Sequence, residues 1–113
     1  MNAEEFVEAI KLVVREPAIS GTLQVLNRPP GRRPNATLVE NAAWYASLSK
    51  HDRERLASVL AQSVDMAIFG LLCVFDGVRA VENEEAKGRF EIRYVCDNGA
   101  VVLNAEQMLH ELY

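Results

Sequence analysis

Two aspartates flank the most apolar stretch of the chain and are its best candidates for acid–base chemistry. Asp65 and Asp76 enclose ten apolar residues, 66–75, and a carboxyl group beside apolar surroundings is the kind that enzymes use as an acid or base. On a helix, these aspartates would lie about 16 Å apart along the axis, too far for a paired acid and base. We therefore favour a structural interpretation, in which Asp76 bonds local backbone in the turn before Gly77 and Asp65 is hydrogen-bonded at the edge of the core.

The histidines and cysteines lack the spacing of a reactive or metal-binding site. His51 and His110 have no second histidine or carboxylate placed as in a zinc-binding HExxH motif, so we interpret them as solvated or hydrogen-bonded structural residues. We interpret Cys73 and Cys96 as two reduced, buried thiols. The chain also has no nucleophile motif and no glycine-rich phosphate loop. The sequence therefore predicts no catalytic residue, no metal and no cofactor.

Three groups of residues could instead contact another protein. Arginine side chains in the loop 28–34 match carboxylates and phosphates, and glutamates in the loop 82–85 suit a basic partner. A tryptophan–tyrosine pair could anchor an interface, although we expect one ring in the core and the other at a surface edge. Both charged loops could also be simply solvated. The predicted partner-binding residues are Arg28, Arg32, Arg33, Trp44, Tyr45, Glu82, Glu84 and Glu85.

Length and charge narrow the class of protein. The chain has 113 residues and a formal net charge of −4, which predicts a single domain over 1–113 and argues against a general nucleic-acid binder. Residues 76–113 hold four basic and eight acidic side chains. The acidic start differs from a signal peptide, and a run of ten apolar residues is shorter than the roughly 20 needed to cross a bilayer. We expect a cytoplasmic protein that does not enter a membrane.

Helices are predicted over the first half of the chain. Asn2 and Glu5 have capping-box spacing and begin the first helix, which should end near Arg15 because Pro17 disfavours helical backbone in the residue before it. Pro17 then suits the first turn of a second, short helix. The loop 28–34 contains three prolines and a glycine, which exclude both a helix and a central strand.

A long central helix is the main element that we expect to build the core. Thr37 and Glu40 have the spacing of another capping box, and Ser49 is placed to cap the helix after that. The helix that Ser49 caps should run through the whole apolar stretch and stop at Gly77. Because the stretch is apolar on all sides, we expect this helix to be amphipathic at first and buried all round at its end, with Phe69 in the core.

The pattern then changes to that of strands. Residues 89–96 alternate in polarity, 97–99 form an Asn–Gly turn, and 100–103 return, so we predict a hairpin over 89–103. Its apolar face should pack on the long helix through Phe90, Ile92 and Tyr94.

Two smaller elements complete the predicted fold. Residues 78–82 could add a third strand, and Asn104 with Gln107 could cap a short last helix that buries Met108, Leu109 and Leu112. The predicted class is α+β, in which N-terminal helices and a long buried central helix pack on a small antiparallel sheet, followed by a short C-terminal helix.

Several segments within about the last two-thirds of the chain share a resemblance: Ser49–Glu54, Phe69–Val78, Gly88–Val95, Leu103–Asn104 and Leu109–Tyr113. They resemble small uncharacterised bacterial proteins, some of which are similar to immunity proteins of polymorphic toxin systems. The resemblance rests on structural residues and supplies no functional ones. It implies a cytoplasmic bacterial protein that binds a toxin or another protein.

Three functions remain open from the sequence. We expect a non-catalytic protein-binding module, with an immunity-type inhibitor of a toxin as its specific form, because the chain is small and acidic and has no reactive cluster. The first alternative is a small hydrolase-like enzyme that uses Asp65, Asp76 or His51 in a cleft. The second is a structural homodimer joined through an uncovered apolar helix face.

Overall fold

Five α-helices and one small hairpin make up the fold, which confirms the predicted α+β class. The computed structural model describes all 113 residues. The elements in chain order are α1 (Ala3–Ile10), α2 (Glu16–Asn27), α3 (Ala36–Ser47), α4 (Lys50–Phe75), β1 (Arg93–Cys96), β2 (Gly99–Val102) and α5 (Leu109–Leu112).

The chain divides into two compact units. We call residues 1–14 and 66–113 the terminal unit, and residues 15–65 the helical unit. The terminal unit contains α1, the end of α4, the hairpin and α5, whereas the helical unit contains α2, α3 and most of α4.

The start of α1 follows its sequence signals, and its end does so in part. Asn2 Oδ1 accepts a hydrogen bond from the Glu5 backbone N–H, and Glu5 Oε2 accepts one from the Asn2 N–H, each at 2.9 Å. The capping box is therefore confirmed. The predicted boundary near Arg15 is present, and Pro17 lies in the first turn of α2 as predicted, but no loop separates the helices, because a π-helical turn over Lys11–Arg15 leads directly into α2. The wider π turn accommodates Pro17, which lacks an N–H donor and whose ring crowds the preceding helical turn.

The caps of α3 and α4 are formed by residues close in sequence to the helix start. Asn35 Oδ1 accepts the Thr37 N–H at 2.8 Å, so Asn35 is the N-cap of α3 and the predicted Thr37 cap is wrong. Ser49 Oγ accepts the Asp52 N–H at 3.1 Å, which confirms the predicted start of α4. The turn after α4 closes at Gly77, whose φ of 76° is the left-handed conformation that favours glycine.

The hairpin is confirmed but is shorter than predicted. Arg93 lies opposite Val102 and Cys96 lies opposite Gly99. Positive φ falls on Gly99, at 129°, rather than on Asn98. All four residues of β1 are exposed, so the prediction of a buried Cys96 and of a packed Tyr94 is wrong. Two strands of this length form too small a sheet for both of its faces to be buried. The predicted contact with the core and with α4 is confirmed for Ile92, which packs against the core, and for Phe90, whose ring meets that of Phe75.

Two further predictions after α4 fail. Residues 78–82 form no strand and are exposed. Asn104 does not cap the last helix, since α5 begins after Met108. Met108 is exposed, whereas the neighbouring Leu109 is completely buried. The predicted burial of Leu109 is thus confirmed and that of Met108 is wrong.

The core of the terminal unit is small and joins distant parts of the chain. It consists of five buried side chains from α1, α4, the end of β2 and α5: Ala3, Val7, Leu72, Leu103 and Leu109. In the helical unit, Tyr45 alone is classed as a buried hydrophobic residue. Apolar burial is therefore concentrated in the terminal unit.

The prediction that α4 is buried all round at its end is wrong. Phe69 is 42 % exposed and Met66 is 67 % exposed, and the buried residues of α4 are Gly70, Leu72 and Cys73. The reason is one of length. A helix of 26 residues is about 39 Å long, whereas strands of four residues span only about 13 Å. The short elements of the terminal unit cannot enclose such a helix.

Replacement of Leu109 by alanine should destabilise the protein strongly. Leu109 is 0 % exposed, so Leu109→Ala removes apolar contacts and leaves a cavity, which lowers the free energy of unfolding by about 2–5 kcal/mol. Urea unfolding monitored by circular dichroism measures the loss. The control is Met108→Ala, where the side chain is 43 % exposed and the loss should stay below about 1 kcal/mol. Equal losses in the two variants would show that the core lies elsewhere.

Candidate functional site

The one buried carboxylate–imidazole pair lies at the end of α4. Asp76 Oδ2 accepts the backbone N–H of His110 at 2.8 Å and lies 2.7 Å from the ring Nδ1 of the same residue. The Asp76 side chain is 1 % exposed and that of His110 is 14 % exposed. The His110 and Phe69 rings meet nearly at right angles, with 5.6 Å between centroids. This arrangement directs Nδ1 to the carboxylate and orients the imidazole, as a positioned general base requires.

The terminal unit nevertheless offers this pair no serine or threonine hydroxyl as a nucleophile. It contains neither serine nor threonine, and the Cys73 thiol is 6 % exposed without a hydrogen bond. The pair instead has a clear structural role, because Asp76 satisfies a backbone N–H in the first turn of α5. The prediction that Asp76 bonds local backbone in the turn before Gly77 is wrong, since the partner of its Oδ2 is 34 residues away.

Asn104 is a second polar link at the end of α4. Its Nδ2 donates to the backbone oxygens of Phe75 at 2.8 Å and Phe90 at 3.0 Å, and its Oδ1 accepts the Ile92 N–H at 3.0 Å. The side-chain amide thus bonds to residues 90–92 as the backbone of a neighbouring strand would. It also donates to a carbonyl at the C-terminus of α4 that has no partner within the helix. This explains why the predicted strand from residue 89 is regular only from Arg93 onward.

Loss of the Asn104 amide should destabilise the protein although no large side chain is removed. Asn104→Ala leaves three backbone groups without their partner, so the free energy of unfolding should fall by about 2–4 kcal/mol. Asn98→Ala, in the exposed hairpin turn, is the control and should cost less than about 1 kcal/mol. Chemical unfolding of both variants measures the difference. Similar values for the two asparagines would refute the linking role of Asn104.

Asp65 is paired within the helical unit. Arg15 Nε and Nη2 donate to its two carboxylate oxygens at 2.6 and 3.1 Å, and Arg15 Nη1 donates to Glu16 at 2.6 Å. The hydrogen bonds that Arg15 donates to Asp65 and then to Glu16 raise the pKa of Arg15 above its ordinary value. The prediction of a hydrogen-bonded Asp65 is confirmed. A bidentate pair of this kind fixes geometry and leaves little capacity for proton transfer.

The other candidate chemistry groups stay apart. His51 is exposed. Both cysteines are free thiols, with Cys73 buried and Cys96 exposed. No group of three or more histidine, cysteine, aspartate or glutamate side chains could hold a metal ion.

The predicted partner-binding residues fall on three separate surfaces. Arg28, Arg32 and Arg33 are exposed in the loop between α2 and α3. The aromatic pair divides as expected, since Trp44 is 52 % exposed and Tyr45 is 8 % exposed.

Tyr45 is also held by a cation, because the guanidinium of Arg53 lies 4.7 Å from the centre of its ring. Arg53 further donates to the Tyr45 and Ala46 backbone oxygens at 3.2 and 3.1 Å. These contacts tie the end of α3 to the beginning of α4.

The acidic loop is also exposed. The side chains of Glu84 and Glu85 make no hydrogen bond. Glu82 Oε2 accepts the Gly88 N–H at 2.9 Å. Glu82 therefore closes the loop 82–88 on itself.

An apolar groove between α2 and α3 is the most distinctive surface of the helical unit. Its volume is about 410 Å³. The residues that line it carry no ionisable group: Pro17, Ala18, Gly21, Thr22, Val25, Leu26, Leu38 and Asn41. Nothing lies within 4 Å of where a Cβ at Gly21 would sit, so this glycine leaves the groove open. Sequence reasoning noted Gly21 only as a weak point of the helix and missed the groove.

One helix satisfies the length and composition of a membrane span. Within α4, an 18-residue window has a mean hydropathy of 1.8, and 22 % of that window is buried. The ten apolar residues alone therefore underestimate the length of the apolar segment, because the apolar part of α4 continues beyond them. A single such helix is weak support for a membrane location, since core helices of soluble proteins have the same composition.

Comparison with known proteins adds no relative. The chain matches no protein-family model, no curated protein and no solved structure at a significant level.

Proposed function

We propose that this protein is a non-catalytic protein-binding module, and that the groove between α2 and α3 receives an apolar segment of its partner. The observation that carries the proposal is the lining of the groove, which is mostly apolar, with Thr22 and Asn41 as its polar residues, and contains no ionisable side chain. None of the three residues that an enzyme could use, Asp65, Asp76 and His51, lines it. Grooves of this composition receive the apolar face of a partner helix.

Burial within the helical unit supports the same function. Its one buried hydrophobic residue is Tyr45, while Val39, Trp44 and Val59 are 46 %, 52 % and 59 % exposed. Apolar side chains that a small unit leaves uncovered are typical of surfaces that bind another macromolecule. An aromatic residue such as Trp44 is among the types that contribute most to protein interfaces.

Charge indicates what the partner segment carries. The loop 28–34 joins the two helices that line the groove and holds three arginines. The helical unit as a whole has seven basic and five acidic side chains. We infer an apolar segment with acidic residues beside it, because guanidinium groups bind carboxylates in a geometry that fixes orientation.

The terminal unit supports the more specific form of the proposal, an immunity-type inhibitor of a toxin. It has eleven acidic and five basic side chains, including Glu84 and Glu85 in the exposed acidic loop. A basic toxin would be attracted to this unit during association. The resemblance to immunity proteins points to the same class of partner.

Substitution of Gly21 by leucine should block binding without unfolding the protein. Because the position is helical and faces open space, Gly21→Leu should raise the free energy of unfolding by up to about 1 kcal/mol while filling the groove. A photo-crosslinking residue at Val25, which lines the groove, should capture one discrete protein in the cells that produce this chain. That product should disappear in the Gly21→Leu variant.

Matched variants make the test decisive. Gly21→Ala removes the same glycine but fills little of the groove, and should retain the Val25 crosslink. The crosslinker at Glu54, an exposed residue of α4 outside the groove, should not give it. An unchanged crosslink in Gly21→Leu would contradict the proposal. A product that contains two copies of this chain would establish the homodimer in its place.

A further inference from the structure

Two basic side chains of the terminal unit have no acidic partner. Among its five lysines and arginines, Lys11 pairs with Glu8 at 2.8 Å. Glu91 pairs with both Arg89 and Arg93, at 2.7 and 3.5 Å. The side chains of the remaining two, Arg79 and Lys87, make neither a hydrogen bond nor an ion pair.

Both of these unpaired cations line the same cavity. It has a volume of about 330 Å³ and lies between the end of α4 and the segment that leads to the hairpin. Arg89 is a third cation in its wall, and an apolar part of the wall comes from Val74, Ala80, Val81 and Phe90. The volume falls at the lower end of the range of about 300–1,000 Å³ that is typical of small-molecule sites.

The single carboxylate of the cavity is already engaged. Glu82 lines the cavity, and its Oε2 accepts the backbone N–H of Gly88 at 2.9 Å. Neither Arg79 nor Lys87 is neutralised by it. The cavity therefore carries more positive than negative charge within a unit that is strongly acidic overall.

A glycine inside α4 makes room for Arg79. A Cβ at position 70 would overlap the guanidinium of Arg79, so the absence of a side chain at Gly70 lets the Arg79 guanidinium take this position against the helix. The backbone N–H of Arg79 also donates to the Cys73 oxygen at 3.2 Å. Since glycine is disfavoured in the middle of a helix, this contact is a second observation that sets Arg79 apart from an ordinary solvated arginine.

We propose that this cavity binds a small organic anion, with a carboxylate or phosphate head and a compact apolar or aromatic body. The head binds between Arg79 and Lys87, because a guanidinium and an ammonium both donate to anionic oxygens. The body lies on Val81 and on the Phe90 ring, which is 47 % exposed and meets Phe75 edge-on, with 6.1 Å between centroids. The site belongs to the terminal unit and is independent of the α2–α3 groove.

Titration with two aromatic anions tests this site. Phenyl phosphate and benzoate are added separately to the ¹⁵N-labelled full chain, and amide shifts are followed by NMR. We expect saturable shifts over residues 79–90 for at least one anion, and the stronger binder identifies the head group. Benzyl alcohol, which lacks the charge, and inorganic phosphate, which lacks the body, should each bind at least tenfold more weakly.

Charge variants separate the cavity from general electrostatic attraction. The double variant Arg79→Gln and Lys87→Gln should weaken binding at least tenfold. Arg32→Gln with Arg33→Gln changes the net charge equally, in the exposed loop of the helical unit, and should leave binding unchanged. Gly70→Ala keeps every charge but displaces the Arg79 guanidinium, so it should weaken binding severalfold.

The proposal fails if neither anion produces saturable shifts over residues 79–90. It also fails if the two double variants weaken binding equally, since the attraction would then come from net charge alone. Amide spectra of the free variants show whether each remains folded. Arg79→Lys keeps the charge but loses the planar set of guanidinium donors, and it should retain part of the affinity. The Gly21→Leu variant should bind the anion normally, which distinguishes this site from the protein-binding groove.

Discussion

A shortage of buried apolar surface is the constraint on which the rest of the structure depends. Half of the residues are hydrophobic, yet seven of them form the buried core. Six of those seven belong to the terminal unit, where α1, the end of α4 and α5 pack around Leu72 and Leu109. The helical unit has only Tyr45. Because small units gain stability chiefly from apolar burial, the helical unit is the part of the chain that a binding partner would stabilise most.

Polar side chains supplement the small core at one place, the C-terminus of α4. Asp76 holds the start of α5 through His110, and Asn104 joins the last carbonyl of the helix to residues 90–92. These are charge-assisted or multiple hydrogen bonds between distant parts of the chain, and they determine where the hairpin and α5 can lie. The same junction leaves the segment after Gly77 free of regular structure, so it can form a cavity wall with Arg79 and Lys87.

Most local signals predicted their element correctly, although Asn35 rather than Thr37 caps α3, whereas burial and long-range pairing were predicted poorly. The caps at Asn2, Ser49 and Gly77 are decided within a few residues, and each was predicted correctly. The burial of Phe69 was predicted wrongly because it depends on how much of α4 other elements can cover. At the candidate sites, the exposure of Trp44 followed from its neighbour Tyr45 taking the core position. The groove and the Asp76–His110 pair could not be predicted, since each joins elements whose packing no local pattern specifies.

We propose that stability is concentrated in the terminal unit, and that the apolar surface exposed on the helical unit serves the proposed partner. Hydrogen–deuterium exchange on the isolated protein tests it most directly. Amides of α1, of α4 around Leu72 and of the strand that precedes Leu103 should exchange slowest, near the rate set by global unfolding. Amides of α2 and α3 should exchange at least about tenfold faster, which corresponds to local opening at a cost lower by roughly 1.4 kcal/mol. Equal protection in both units would contradict the account, because the helical unit would then be stable without a partner.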